Sequence, residues 1–262
     1  MKPLILGLLL LNGLAATAQT APTFTSTCQD HSVSNQKTSC ETRDLTMPAP
    51  AGQPLTIEAG ANGSISVKGW DGPDVRIRAT VKAWADTEAA AQARVAAASI
   101  STTGNLLRAS MPGAGQQAAV SYEVFVPRRT ALALTTQNGS IHLAGVQAAI
   151  MFSAQNGSVS LADLGGKVTG KTVNGSLSIL LNGSQWEGDG LNIATVNGSI
   201  RWQVPAGYSA ELYTGTTNGS LRTTLPQSGP QSHKHEVKTA LGKGGPPVQA
   251  MTTNGSVIIK QG

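Results

Sequence analysis

The phrase Asn-Gly-Ser followed by an aliphatic residue occurs seven times in this chain and constrains its fold more than any other feature. The pairs are Asn62-Gly63, Asn138-Gly139, Asn156-Gly157, Asn174-Gly175, Asn197-Gly198, Asn218-Gly219 and Asn254-Gly255; the aliphatic residues are Ile65, Ile141, Val159, Leu177, Ile200, Leu221 and Val257. Asn-Gly is a strong turn signal because both residues tolerate positive φ. After each turn the residues alternate. The next position is Ser66, His142, Ser160, Ser178, Arg201, Arg222 or Ile258, polar in every case but the last. The one beyond is Val67, Leu143, Leu161, Ile179, Trp202, Thr223 or Ile259. A period of two with one apolar face is a half-buried strand.

The residues before each turn repeat as well. Thr136, Thr172, Thr195, Thr216 and Thr252 stand two positions ahead of their Asn, with Gly60 and Ala154 as exceptions. They share parity with Leu132, Leu134, Ile150 and Phe152, so the hydroxyls point inward toward the turn backbone, not outward in a flat ice-binding array. From Asn138 the turns are spaced by 18, 18, 23, 21 and 36 residues. A period near 20 predicts an all-β solenoid, or β-helix, with stacked Asn-Gly-Ser turns whose side chains bond along the column. The rival is a sandwich of plain β-hairpins.

Scarce aromatic and charged residues suit narrow coils filled by small and β-branched side chains. Residues 1–18 read as a secretory signal: Lys2, an apolar run from Leu4 to Leu14, and a small-x-small site at Ala16-Thr17-Ala18. The run is too short for a membrane anchor. The rest is expected to be exported from a bacterial cytoplasm, to the periplasm or beyond, with no transmembrane segment. Cys28 and Cys40 then predict one disulfide. Residues 19–54 read as an irregular leader carrying that bridge, and 55–262 as the solenoid domain. One short helix is expected near 87–98, with Asp86 as N-cap and an Ala-rich stripe that covers one end of the stack. Residues 226–247 read as a long loop or irregular coil.

No catalytic, cofactor or metal residues emerge. The carboxylates are scattered, with no two on one face of adjacent strands, and no nucleophile, phosphate-loop or zinc pattern is present. His233 and His235 could share a metal on a strand, but Lys234 between them and a loop-like composition favour a solvated loop. The Asn-Gly-Ser triplets are formal glycosylation sequons read here as turns. Trp70, Trp84 and Trp186 could contact sugars or plug coil ends. Without residues 1–18 the chain carries 18 Lys and Arg against 14 Asp and Glu. Arg201 and Arg222 fall at the same outward position in successive coils, with His142 earlier in that column. They form a candidate surface for an anionic envelope polymer or an envelope protein. Nucleic acid is disfavoured by export and by the lack of an aromatic-basic surface.

The recurrent Thr-x-Asn-Gly-Ser-Ile, the stretch Ile65-Ser66-Val67-Lys68-Gly69-Trp70-Asp71, Val124-Phe125-Val126-Pro127 and the Gly-rich Gly242 to Gly245 ahead of Asn254 resemble the bacterial putative-adhesin domains of unknown function. Those domains are similar to the auto-transporter adhesin head. The resemblance covers roughly residues 50 to 262 and implies an exported right-handed β-helix of the bacterial envelope, with no functional residues to carry over. The leading reading is a non-enzymatic envelope protein that binds or scaffolds. A carbohydrate-active β-helix enzyme and an envelope-stress component acting through a protein partner remain the alternatives.

Overall fold

The structure is a computed structural model that describes residues 21–28, 36–113, 117–225, 232–233 and 235–262. Residues 1–18, where a secretory signal is expected, Gln227 to Pro230 and Lys234 lie outside the described residues. In chain order the elements are β1 (Lys37–Pro48), β2 (Leu55–Glu58), β3 (Ile65–Trp70), β4 (Asp74–Ala85), α1 (Glu88–Ala96), β5 (Ser99–Ser101), β6 (Leu106–Ser110) and β7 (Ala118–Pro127). The repeats follow as β8 (Leu132–Asn138), β9 (Ile141–Ala144), β10 (Ile150–Asn156), β11 (Val159–Ala162), β12 (Lys167–Asn174), β13 (Leu177–Leu180), β14 (Gly190–Asn197) and β15 (Ile200–Val204). The chain ends with β16 (Ala210–Asn218), β17 (Leu221–Thr223), β18 (Ser232–His233), β19 (Glu236–Leu241), β20 (Pro247–Asn254) and β21 (Val257–Gln261).

These strands form two large mixed sheets. The first has ten strands in the order β1-β4-β7-β3-β9-β11-β13-β15-β21-β17. The second has eleven, β18-β19-β16-β20-β14-β12-β10-β8-β2-β6-β5. Each of the seven Asn-Gly-Ser corners followed by an aliphatic residue carries the chain from the second sheet to the first, so its flanking strands never pair with each other. They pair in parallel with their counterparts in neighbouring repeats, in register at every Asn: Asn138 with Asn156, Asn156 with Asn174, Asn174 with Asn197. That pattern excludes the sandwich of plain hairpins. The inward positions, among them Leu132, Leu134, Ile141, Leu143, Phe152, Ile193 and Trp202, fill one shared core.

Each residue of the repeat has a physical task at this corner. The Asn side chains form one ladder: Asn156 Nδ2 donates to Asn138 Oδ1 at 2.8 Å, Asn174 to Asn156 at 2.7 Å and Asn197 to Asn174 at 2.8 Å. The Thr hydroxyls are buried and donate to the glycine carbonyl one rung below, as Thr172 does to Gly157 at 2.9 Å and Thr195 to Gly175 at 2.7 Å. Glycine is required for close approach. A Cβ on Gly157 would stand 1.9 Å from the Gly139 carbonyl oxygen, and one on Gly175 would stand 2.0 Å from that of Gly157. Gly139, Gly157, Gly175, Gly198 and Gly219 do not have positive φ, nor does any ladder Asn. The rationale of positive φ is therefore corrected: a side chain is excluded by the backbone of the next rung.

Four further expectations change. The strands do not stack in chain order. β20 and β21 lie between β14/β15 and β16/β17, with Asn254 opposite both Asn197 and Asn218. At the other end β2 and β3 are flanked by β6/β7 and by β8/β9. The leader is not irregular throughout, because Lys37–Pro48 is a twelve-residue strand antiparallel to β4. Residues 236–241 form a strand antiparallel to β16, where a loop was expected. The helix cap is Thr87, whose hydroxyl accepts from Ala90 N at 3.2 Å, and not Asp86. Helix α1 packs on β1 and β4 through Ala91 and Val95, and Arg43 of β1 donates to the Val95 carbonyl in its last turn (2.9 Å) and to the Ala98 carbonyl just beyond it (2.6 Å).

Candidate ligand surface

On the first sheet, alternation turns Ile200, Trp202, Val257 and Ile259 into the core and leaves Arg201, Gln203, Ile258 and Lys260 on the outer face. Register then decides which of these meet. The outward column runs Ser66, His142, Ser160, Ser178, Arg201, Ile258, Arg222. Arg201 and Arg222 are thus not in successive coils. The final repeat places Ile258 between them, two strand spacings or about 9.6 Å apart. His142 stands three strands from Arg201, with Ser160 and Ser178 between, and is not part of that cluster.

The parallel column two residues on brings Leu180, Gln203 and Lys260 side by side. Ser178, Leu180, Arg201, Gln203, Ile258 and Lys260 line an open groove of about 270 Å³, and Arg222 flanks it. Leu180 is 42 % exposed. No carboxylate lines the groove, and among the described residues Arg201, Arg222 and Lys260 have no ion-pair partner. Such a surface offers unneutralised cations beside apolar side chains. It suits a partner with both negative charge and carbon surface. Sequence spacing found Arg201 and Arg222 but could not find Leu180, Ile258 or Lys260 as their neighbours, since that depends on where the last repeat docks.

A second groove, of about 570 Å³, opens on the other sheet between Glu211, Tyr213, Glu236, Lys238, Pro247 and Gln249. It corrects the expectation that no two carboxylates share a face of adjacent strands. Glu211 and Glu236 come from β16 and β19, an antiparallel pair not anticipated from the repeat.

Three other basic residues of the first sheet, Arg78, Lys68 and Arg76, are engaged. Arg78 holds Asp44 through two bonds of 2.7 Å, donates to the Ser26 carbonyl and lies 4.8 Å over the Phe24 ring. Glu123, 5 % exposed, accepts from Thr25 N, Thr25 Oγ1 and Ser26 N at 2.8–3.2 Å, with Lys68 at 3.8 Å. Burial pushes the Glu123 pKa up, and the hydrogen bonds from Ser26 and Thr25 more than offset it, leaving the group below its ordinary value of 4.5. Residues 24–28 are thereby strapped across β7 and β4, with the Cys28–Cys40 disulfide fastening the strap to β1.

Trp186 is buried and donates to the Gly166 carbonyl at 3.0 Å, so it plugs the interior. Trp70 donates to Asp74 O at 2.8 Å beneath the Arg76 guanidinium. His235 Nδ1 lies 3.1 Å from the Gly219 carbonyl oxygen, the place a Thr hydroxyl takes on lower rungs. It completes the ladder's end; the His233 side chain and Lys234 lie outside the described residues. Six ladder Asn amides donate to another Asn, which leaves them engaged rather than open for glycosylation. No group of three or more metal-ligating side chains occurs among the described residues, and no helix there is long and apolar enough to cross a membrane.

Solved structures similar to this chain include a putative cell adhesion protein from Clostridium sporogenes ATCC 15579, at 10% identity over 85% of this chain and 100% of that one, with a TM-score of 0.44. A putative adhesin from Bacteroides fragilis NCTC 9343 is 13% identical over 85% and 97%, with a TM-score of 0.34. One from Parabacteroides distasonis ATCC 8503 is 11% identical over 85% and 97%, with a TM-score of 0.27. No family model and no curated protein matches the chain.

Proposed function

We propose that this chain is an exported, non-enzymatic protein of the bacterial cell envelope, a right-handed β-solenoid whose outer face binds an anionic envelope polymer. The observation that carries the reading is the cluster of Arg201, Arg222 and Lys260 around Ile258, with no acidic lining and no ion-pair partner among the described residues. In-register parallel strands space their side chains at about 4.8 Å, a regular array against which a repeating polymer can align. Right-handed winding is supported by the near-universal hand of connections between parallel strands of one sheet. Export is supported by the Cys28–Cys40 bridge, which persists in oxidising compartments.

The test is retention of the chain from residue 19 onward on a polyuronate, beside a neutral polysaccharide of equal length. Retention on the polyuronate alone, falling as salt rises from about 0.05 to 0.5 M, supports the reading. The pair Arg201→Glu and Arg222→Glu should abolish it, while Lys82→Glu, on β4 near the opposite end of the same sheet, should not. Equal retention on the neutral polymer, or survival of binding in the double variant, overturns it. Recovery outside the cytoplasm with Gln19 as first residue checks export.

A further inference from the structure

Asn-Gly is the dipeptide most prone to spontaneous loss of side-chain ammonia, because a glycine nitrogen reaches the Asn carbonyl carbon without hindrance. This chain has nine such pairs, of which Asn12-Gly13 lies outside the described residues. The reaction needs a free glycine N–H and a side-chain amide able to turn toward it. Six of the remaining eight pairs are denied both. Their glycine nitrogens donate to an Asn carbonyl of the adjacent rung, as Gly157 does to Asn174 and Gly175 to Asn197 at 3.0–3.1 Å, and Gly63, Gly139, Gly198 and Gly255 do likewise. Their side-chain amides are rungs of the ladder.

Asn182-Gly183 has neither restraint. It stands in the segment that lengthens one repeat to 23 residues, outside the ladder, with both residues exposed. Gly183 has φ +77° and no atom within 4 Å of its Cβ position. Among the described residues its N–H has no hydrogen bond, and Asn182 is held only by one bond of 3.3 Å from Nδ2 to Asp163 Oδ1. Asn218-Gly219 is intermediate. Its side chain donates to Asn254 at 2.9 Å, but Gly219 N–H has no partner among the described residues.

We propose that Asn182 is the modification site of this protein, converting spontaneously to aspartyl and isoaspartyl residues, while the ladder shields the other corners. Gly183 N loses its proton and attacks Cγ of Asn182. The new N–Cγ bond forms, the Cγ–Nδ2 bond breaks and ammonia leaves. Water then opens the cyclic imide at either carbonyl. The product places a second carboxylate beside Asp163, so the Asn182–Asp163 hydrogen bond is replaced by like-charge repulsion.

Residues 172–201 lie between Lys171 and Arg201, so trypsin releases Asn174, Asn182 and Asn197 on one peptide. Folded full-length protein is held at pH 8 and warm temperature, digested at intervals, and each site is read by fragment mass. Asn182 is expected to convert at least about tenfold faster than Asn174 or Asn197, the factor that about 1.4 kcal/mol of local opening imposes. The isolated peptide should convert all three at similar rates. Equal rates in the folded protein overturn the proposal. So does a preference for Asn182 that persists unchanged in the free peptide, because the fold would then not be its cause.

Discussion

Asn254 donates its side-chain amide to Asn197 at 2.8 Å although 57 positions separate them in sequence. Asn218, only 21 positions from Asn197, bonds to the far side of Asn254 instead, at 2.9 Å. The end of the chain is therefore a middle rung of the stack.

Deleting residues 247–262 should consequently do more than shorten the stack. It removes β20 and β21 from between two repeats and strips the paired edges of β14, β15, β16 and β17 together. The loss should rival the roughly 5–15 kcal/mol that holds an ordinary domain, so cooperative melting should vanish in circular dichroism. Trypsin should cut residues 205–225 rapidly in the truncated chain and slowly in the whole one.

Ala154 occupies the place where other rungs carry Thr, beneath which the Gly139 carbonyl awaits a hydroxyl. Ala154→Thr should add that bond and stabilise the chain by about 0.5–1.5 kcal/mol in urea unfolding. Thr172→Val, which removes the bond to Gly157 at 2.9 Å, should cost about 1–3 kcal/mol by leaving that carbonyl unpaired. If both changes move stability the same way, the Thr column is not acting through its hydroxyls.

Gly157→Ala should be among the most damaging single changes, costing about 3 kcal/mol or more, because its methyl would sit 1.9 Å from the Gly139 carbonyl oxygen and two rungs must part. Gly207→Ala meets nothing within 4 Å and strains only a backbone at φ +75°, about 1–2 kcal/mol. Thermal unfolding of the two variants side by side separates close approach from backbone strain.

The strap over Glu123 should loosen in acid. Its folded pKa lies below the ordinary 4.5, so its contribution is complete above that value and is lost as pH falls through the folded pKa. Hydrogen exchange at Thr25 and Ser26, whose N–H groups it accepts, should therefore accelerate below pH 4.5 more than at buried strand amides. Glu123→Gln should weaken the strap by about 1.5–3 kcal/mol at neutral pH and flatten that pH dependence.

The repeat residues were legible in sequence because their work is local. Period-two alternation assigns the core face of each strand, and Thr136 or Thr195 shares that parity whichever repeat lies below it. The Arg201–Arg222 surface was legible only as two outward residues. Leu180, Ile258 and Lys260 join it through pairings made by the last repeat, and the Glu211–Glu236 groove through an antiparallel strand that breaks the period.

By itself the sequence determined the corner, the inward and outward faces, the disulfide partners and the all-β character. Only the tertiary structure decided the order of the rungs, the strand in the leader and the reason for each corner glycine. The physical reason is the same in each case. Every rung presents nearly the same Thr, Asn and Gly groups to its neighbour, so any repeat can dock on any other, and local chemistry cannot choose among them. That choice falls to long-range pairings such as β16 with β19 and β1 with β4, which bring together residues that no short window of sequence contains.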